Sequence, residues 1–205
     1  MMKKNTLEYL YSLKPIHGTD RKDKNEYIKH VISVANSSLD MAEFGIGHCG
    51  SAKMILRYMN SKQTLYLFDS FEGIPEEWNY ETNCIRPKGY GIYERGKVLK
   101  ELEPHAGWKI VEGLYSYTVP RWAYKYRKQL GFIHIDCDLY SSARDVLDNL
   151  WPCIRTGTII AFDEYANYGG FHEHEYKAFY EFCQKYEIEF EYVARMDTQV
   201  TVAIL

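Results

Sequence analysis

An α/β fold is what this 205-residue chain predicts: a doubly wound, mostly parallel sheet of seven strands, helices on both faces, closed by a C-terminal antiparallel hairpin. Three observations carry it. Short apolar runs, each ending in an acid or a glycine, alternate with stretches whose apolar residues recur at helical spacing, the signature of repeated β-α units. Leu65–Phe68 is apolar throughout, as a strand buried on both faces of a parallel sheet must be. The last two runs, Phe190–Ala194 and Val200–Leu205, are separated only by Arg195–Gln199, too few residues for a crossover helix, so they must pair antiparallel.

The elements follow in order. Residues 1–24 are polar and broken by Pro15 and Gly18, reading as a short helix or arm and then a loop. Ile28, Val31, Ile32 and Ala35 form an amphipathic stripe ending near Asn36-Ser37-Ser38, so residues 1–38 make an N-terminal arm and helix. Leu39–Phe44 reads as the first strand, Ser51–Asn60 as a helix with Ala52, Ile55, Leu56 and Met59 inward, and Leu65–Phe68 as the second strand, closed by Asp69. Residues 72–97 break the rhythm: turn signals at Gly73, Pro75, Pro87, Gly89 and Gly91 interleave with Trp78, Tyr80, Tyr90 and Tyr93. So long and aromatic a connection reads as a lid over a site. Strands resume at Trp108–Val111, Phe132–Ile135 and Thr158–Phe162. Helical stripes fall at Ala143, Val146, Leu147 and Leu150, stopping at Pro152, and at Tyr176, Phe179, Tyr180 and Cys183.

Length and composition set outer bounds. A chain of 205 residues, 46% hydrophobic, is expected to fold as one domain, 1–205, around a real core. A net charge of −3 gives no footprint for nucleic acid or an anionic membrane. Five cysteines, an odd number without a C-x-x-C, argue for reduced thiols and against a disulfide framework or zinc site. Met1–Leu10 lacks an apolar run for a signal peptide and no stretch is long enough to span a bilayer, so a cytoplasmic location is expected. Most of the 19 tyrosines suit half-buried surfaces; some are expected to line a binding site.

Chemistry concentrates where strands end. Ala42-Glu43-Phe44-Gly45-Ile46-Gly47-His48-Cys49-Gly50 is a strand-to-helix corner at which glycines permit close ligand approach and a helix start, at Ser51, offers free N–H groups. Gly45, Gly47 and Gly50 spell G-x-G-x-x-G, which alone suits a dinucleotide equally well. The other strand ends add Asp69, Glu112-Gly113, Asp136 with Asp138, and Asp163-Glu164. An acid at Asp69 lies where a ribose would be held. Glu43, before the glycines, suits a cationic ligand rather than a pyrophosphate.

Together, Glu43-Phe44-Gly45-Ile46-Gly47, Leu67-Phe68-Asp69-Ser70-Phe71-Glu72-Gly73-Ile74-Pro75, Ile135-Asp136-Cys137-Asp138-Leu139-Tyr140 and Phe162-Asp163-Glu164-Tyr165 resemble class I S-adenosylmethionine-dependent methyltransferases. More narrowly the chain is similar to the macrocin O-methyltransferase type, from about Ile28 to Leu205. The resemblance implies an enzyme that binds S-adenosylmethionine and methylates a hydroxyl of a sugar or small glycosylated metabolite. It implies cofactor binding by Glu43, Gly45, Gly47, Ser51, Asp69, Ser70, Gly113 and Asp136. It also implies a magnesium ion (Mg2+) on Asp136, Asp163 and Glu164; the type usually carries two aspartates at the last pair. Members often form dimers or larger assemblies, so a homo-oligomer is implied too.

The acids fit that chemistry on their own terms. A sugar hydroxyl is a poor nucleophile, needing a base or metal to develop charge, and magnesium takes a few carboxylates with water and substrate oxygens. Asp136 and Asp138 are the candidate bases, with no basis in the sequence for choosing between them. Asp138, with Ser141 and Ser142, reads equally as a helix cap, and Glu164 almost equally as a solvated loop acid. His172 and His174 read as the charged start of a surface helix, and Cys137 as a small packed residue. Two rivals remain: an NAD-dependent oxidoreductase, opposed by Glu43 and the terminal hairpin, and a silent methyltransferase-like binding module, opposed by the intact acids.

Overall fold

The strands order themselves by which apolar runs need two covered faces. The structure, a computed structural model, describes residues 3–16, 21–81 and 83–205; His17 to Asp20, including the expected break at Gly18, lie outside the described residues. The strands are β1 (Asp40–Phe44), β2 (Leu65–Asp69), β3 (Trp78–Glu81), β4 (Cys84–Arg86), β5 (Trp108–Glu112), β6 (Leu130–Ile135), β7 (Ile159–Phe162), β8 (Phe190–Met196) and β9 (Gln199–Ile204). Seven of them form one sheet in the order β5-β2-β1-β6-β7-β9-β8, while β3 and β4 form a separate antiparallel ribbon. β1, β2, β5, β6 and β7 run parallel, and β9 inserts antiparallel between β7 and β8. The predicted doubly wound sheet with its terminal hairpin is the observed one.

Helices α1 (Leu7–Ser12), α2 (Arg21–Val34), α3 (Gly50–Tyr58), α4 (Arg95–Leu102), α5 (Tyr115–Tyr126), α6 (Tyr140–Leu150) and α7 (Glu175–Tyr186) cover the two faces. Period two in the strands divides the core. Phe44, Phe68, Ile133, Ile135 and Phe162 pack against α5, α6 and α7, while Met41, Leu65, Leu67, Phe132 and Ile159 pack against α2, α3 and α4. All five cysteines are free, and Cys49, Cys137, Cys153 and Cys183 are buried as packing groups. Among the described residues no helix is long and apolar enough to cross a membrane.

Two helices had no counterpart in the sequence reading. α5 contains Pro120, which interrupts a helical pattern locally; burial of Val119, Trp122 and Ala123 on the sheet outweighs that penalty. α4 begins inside the expected lid, at Arg95, with only Val98 and Leu102 buried, too thin a stripe to stand out. The rest of residues 72–97 is also less loose than a loop. Its ribbon buries Trp78 and stacks Tyr80 on Tyr168 at 4.7 Å between ring centroids and 3° between planes. His174, read as a surface residue, is buried and its ring Nε2 lies 3.0 Å from the Asn79 carbonyl.

Candidate active site

The glycine corner is stitched to its neighbours through backbone. Gly45 has φ +91°, and a Cβ there would stand 1.8 Å from the Asp136 carbonyl oxygen, so β1 and β6 leave room for glycine only. Asp69 accepts the Ile46 N–H at Oδ2 and the Phe71 N–H at Oδ1, each at 2.8 Å, and its carbonyl accepts the Gly113 N–H at 2.9 Å. One residue at the end of β2 thereby fixes the exits of β1 and β5. Above these exits lies a cavity of about 490 Å³ lined by Gly45, Gly47, Asp69, Ser70 and Gly113 on one side and Asp136, Asp138 and Asp163 on the other. Its size is that of a small-molecule or cofactor site. Tyr93 stands beside Gly47, and Ser51 and His48 line an adjoining cavity of about 400 Å³.

Glu43 lies apart from this lining. It lines neither cavity. Alternation along β1 turns it, with Met41, toward the α2 face, where it is fully buried and pairs with Nδ1 of His134 at 3.0 Å. Glu43 and His134 are direct neighbours across β1 and β6. Oε1 of Glu43 is thus paired inside the protein, while its Oε2 is buried without a partner among the described residues.

The same alternation moves Asp163. Two residues beyond Ala161, it faces the α2 side, where Lys24 donates to its Oδ1 at 2.7 Å, Gln199 Nε2 donates to the same oxygen, and His134 Nε2 stands 3.6 Å away. Burial would raise the Asp163 carboxyl, but Lys24 and His134 outweigh it and hold it below the usual carboxylate range. Burial likewise opposes the His134 imidazolium, yet the carboxylates of Asp163 and Glu43 prevail and raise it to about 10. Asp163 thus lines the cavity but is already paired with a protein cation.

The acids that do converge are Asp136, Asp138 and Glu164, whose carboxylate oxygens lie within 4.8 Å of one another. Burial, then the nearby Asp163 charge, pushes Asp138 up to about 7 and raises Asp136 and Glu164 well above the ordinary carboxylate range. Oε2 of Glu164 is buried without a partner among the described residues. Three crowded, desolvated carboxylates and an orphaned oxygen suit a hard divalent cation, which would relieve the repulsion that burial creates. Of the sequence set, Asp136 and Glu164 lie in this cluster with Asp138 as its third member, and Asp163 lies outside it. Asp138 has φ +62°, which swings it from the strand line back over the cluster. Nor does it cap α6, whose first turn has no side-chain cap at Leu139.

Several residues of the site left little trace in the sequence. Lys24 sits in a stretch that reads only as polar. Glu175 belongs to Phe171-His-Glu-His-Glu-Tyr, which reads as a surface helix start; it is instead fully buried, accepting the Cys137 N–H at 3.0 Å and the Glu164 N–H at 3.2 Å. Burial raises the Glu175 carboxyl, while the two N–H groups it accepts favour its ionised form. His134 did carry a signal, being the one polar side chain in Phe132–Ile135.

A parallel sheet with a glycine corner after its first strand, an acid ending its second and an antiparallel terminal hairpin is the architecture of the class I methyltransferases. The chain belongs to the methyltransferase-domain family, whose model matches residues 42–165. It is similar, at 25% identity over 163 residues, to the 8-demethyl-8-(2,3-dimethoxy-alpha-L-rhamnosyl)-tetracenomycin-C 4'-O-methyltransferase of Streptomyces olivaceus, covering 73% of this chain and 61% of that protein. The chain therefore spans less than two thirds of that relative. Among solved structures, the O-methyltransferase NovP superposes with a TM-score of 0.67 at 20% identity, covering 88% of this chain and 78% of that one. The calicheamicin methyltransferase CalS11 superposes with a TM-score of 0.75 at 18% identity, covering 89% and 79%. These likenesses establish the class I methyltransferase fold.

Proposed function

We propose that the protein transfers the methyl group of S-adenosylmethionine to a hydroxyl of a sugar-containing small molecule, with a divalent cation at the acid cluster. The observation that carries this is a single cavity lined by the backbone-built corner of Gly45, Asp69 and Gly113 and by Asp136 and Asp138, behind which Glu164 completes the acid cluster. The named activity of the tetracenomycin relative, a rhamnosyl 4'-O-methyltransferase, supports a sugar acceptor. The NAD reading loses its support, since the class I sheet with its hairpin is not a dehydrogenase sheet and nothing beyond the glycine spacing favours it.

Within that reading, Asp69 takes the ribose hydroxyls while its backbone bonds keep β1, β2 and β5 in register, and Gly113 bounds the adenine end. Asp136, Asp138 and Glu164 would hold the cation, and Mg2+ there would lower the pKa of a coordinated hydroxyl. Asp136 and Asp138 are the candidate groups to accept the acceptor's proton, both lining the cavity at the end of β6. Lys24 and His134 keep Asp163 occupied and so keep the cluster at three acids. The lid, with Tyr93 beside Gly47, excludes water from the transfer. Holding the acceptor oxygen in line with the methyl–sulfur bond supplies much of the acceleration.

The test is incubation with methyl-labelled S-adenosylmethionine and a panel of sugar nucleotides, glycosides and catechols, with calorimetry of the cofactor and its demethylated product. Label transfer to a sugar hydroxyl is expected. Absence of heat with either cofactor form, while NAD binds, would overturn the reading. Full activity after chelation would remove the cation from it.

A further inference from the structure

The acid cluster is assembled from two loops that share no strand: one leaves β6 with Asp136 and Asp138, the other leaves β7 with Glu164. Three carboxylates repel, so such a cluster needs something outside it to hold the two loops at one spacing. Glu175 occupies that place. Its Oε1 accepts the N–H of Cys137, the residue between Asp136 and Asp138, and its Oε2 accepts the N–H of Glu164 itself. It is 0% exposed and is the first residue of α7, a helix pinned to the sheet by Phe179, whose ring stands 5.1 Å from that of Phe162. None of this is needed to cap or start the helix. A short polar side chain before α7 would serve for that, and no side-chain cap is made there.

We infer that Glu175 is a positioning residue: its carboxylate registers the loop of Asp136 and Asp138 against the loop of Glu164, and so sets the geometry of the acid cluster. Two acceptor atoms are required. Glutamine would present one acceptor and one donor, setting N–H against N–H at one loop. Aspartate keeps the charge but is one methylene too short to reach both loops from α7. Either change leaves a buried backbone N–H unpaired, and the loops move apart to hydrate it. Outer groups of this kind change metal affinity by about 10–100-fold when removed. The inference rests on reading the cluster as the cation and acceptor site, but its test does not depend on turnover.

The experiment measures amide hydrogen exchange by NMR at Cys137 and Glu164, with Mn2+ binding by electron paramagnetic resonance and calorimetry of the demethylated cofactor as controls of site and fold. In the wild type both amides are expected to be protected well beyond the flanking loop amides. Glu175→Gln is expected to lose about 10-fold or more of that protection at both, and to weaken Mn2+ by about 10–100-fold, with cofactor affinity unchanged. Glu175→Asp is expected to behave in the same way; recovery of both readouts with aspartate would show that charge alone matters and overturn the inference. Unchanged protection in Glu175→Gln, or lost protection with unchanged Mn2+ affinity, would overturn it too. Should neither variant fold, the wild-type amides decide: unprotected amides refute the clamp, protected ones support it. Failure of the wild type to bind Mn2+ would strike the cation reading alone, since the amides would still report whether Glu175 holds the loops.

Discussion

The two walls of the cavity are built by different means. The corner wall, at the exits of β1, β2 and β5, is made of backbone: Gly45 where no side chain fits, and Asp69 accepting the N–H groups of Ile46 and Phe71. The acid wall, at the exits of β6 and β7, is held by side chains that arrive from distant elements: Lys24 from α2, Glu175 from α7, Gln199 from β9. A wall of backbone needs only local turns and tolerates little change. A wall of charge needs partners, and its composition depends on which partners arrive. The fate of Asp163 shows the difference. It ends its strand as Asp136 does, yet Lys24 and His134 remove it from the cluster.

The largest expected effect breaks both walls at once. Gly45→Ala would drive a Cβ into the Asp136 carbonyl, a clash with backbone that no rotamer relieves. Destabilisation beyond about 4 kcal/mol is expected, read as insoluble protein or collapse of the thermal transition; a folded, active variant would show that the walls are not locked together. Next, Asp138→Asn should strike the acid wall alone, lowering kcat by about 10²–10⁴-fold while calorimetry shows cofactor affinity unchanged. A weakened cofactor would instead mean that the walls act as one. Asp69→Ala is the converse: cofactor affinity should fall by about 10–100-fold, the loss of one or two charge-assisted hydrogen bonds, while Mn2+ affinity at the cluster holds.

A separate expected effect lies in the pH dependence of stability. His134 is raised in the folded state from its ordinary 6.5 to about 10, so its imidazolium stabilises the fold fully below about pH 6.5, and that contribution is lost as pH rises through 10. Denaturant unfolding should therefore show stability declining across that window, with the decline flattened in His134→Gln. An unchanged slope would mean that His134 is neutral beside Glu43 and Asp163.

How much of this was legible follows the same division. Leu65–Phe68 with Asp69, the glycine corner and the closing hairpin were readable because each rests on residues adjacent in sequence. Apolar runs bounded by turns specify strands, and a connection of a few residues permits only an antiparallel return. The sequence places Glu43 with a cofactor and Asp163 with a metal because it shows where strands end, not which partners each side chain meets. Glu175 and Lys24 were invisible as site residues because an isolated acid or lysine in a polar stretch looks the same whether it meets water or a distant loop.

By itself, then, the sequence determined the α/β sheet, its hairpin, the edge where a ligand must sit and the residue types available there. These follow from local periodicity and the geometry of short connections. Only the tertiary structure decided which acids remain free to bind. Pairing between Asp163 and Lys24, and between Glu43 and His134, depends on chain segments 139 and 91 residues apart. Charge neutralisation is a matter of distance in space, and that distance exists only once the sheet has brought the two partners together.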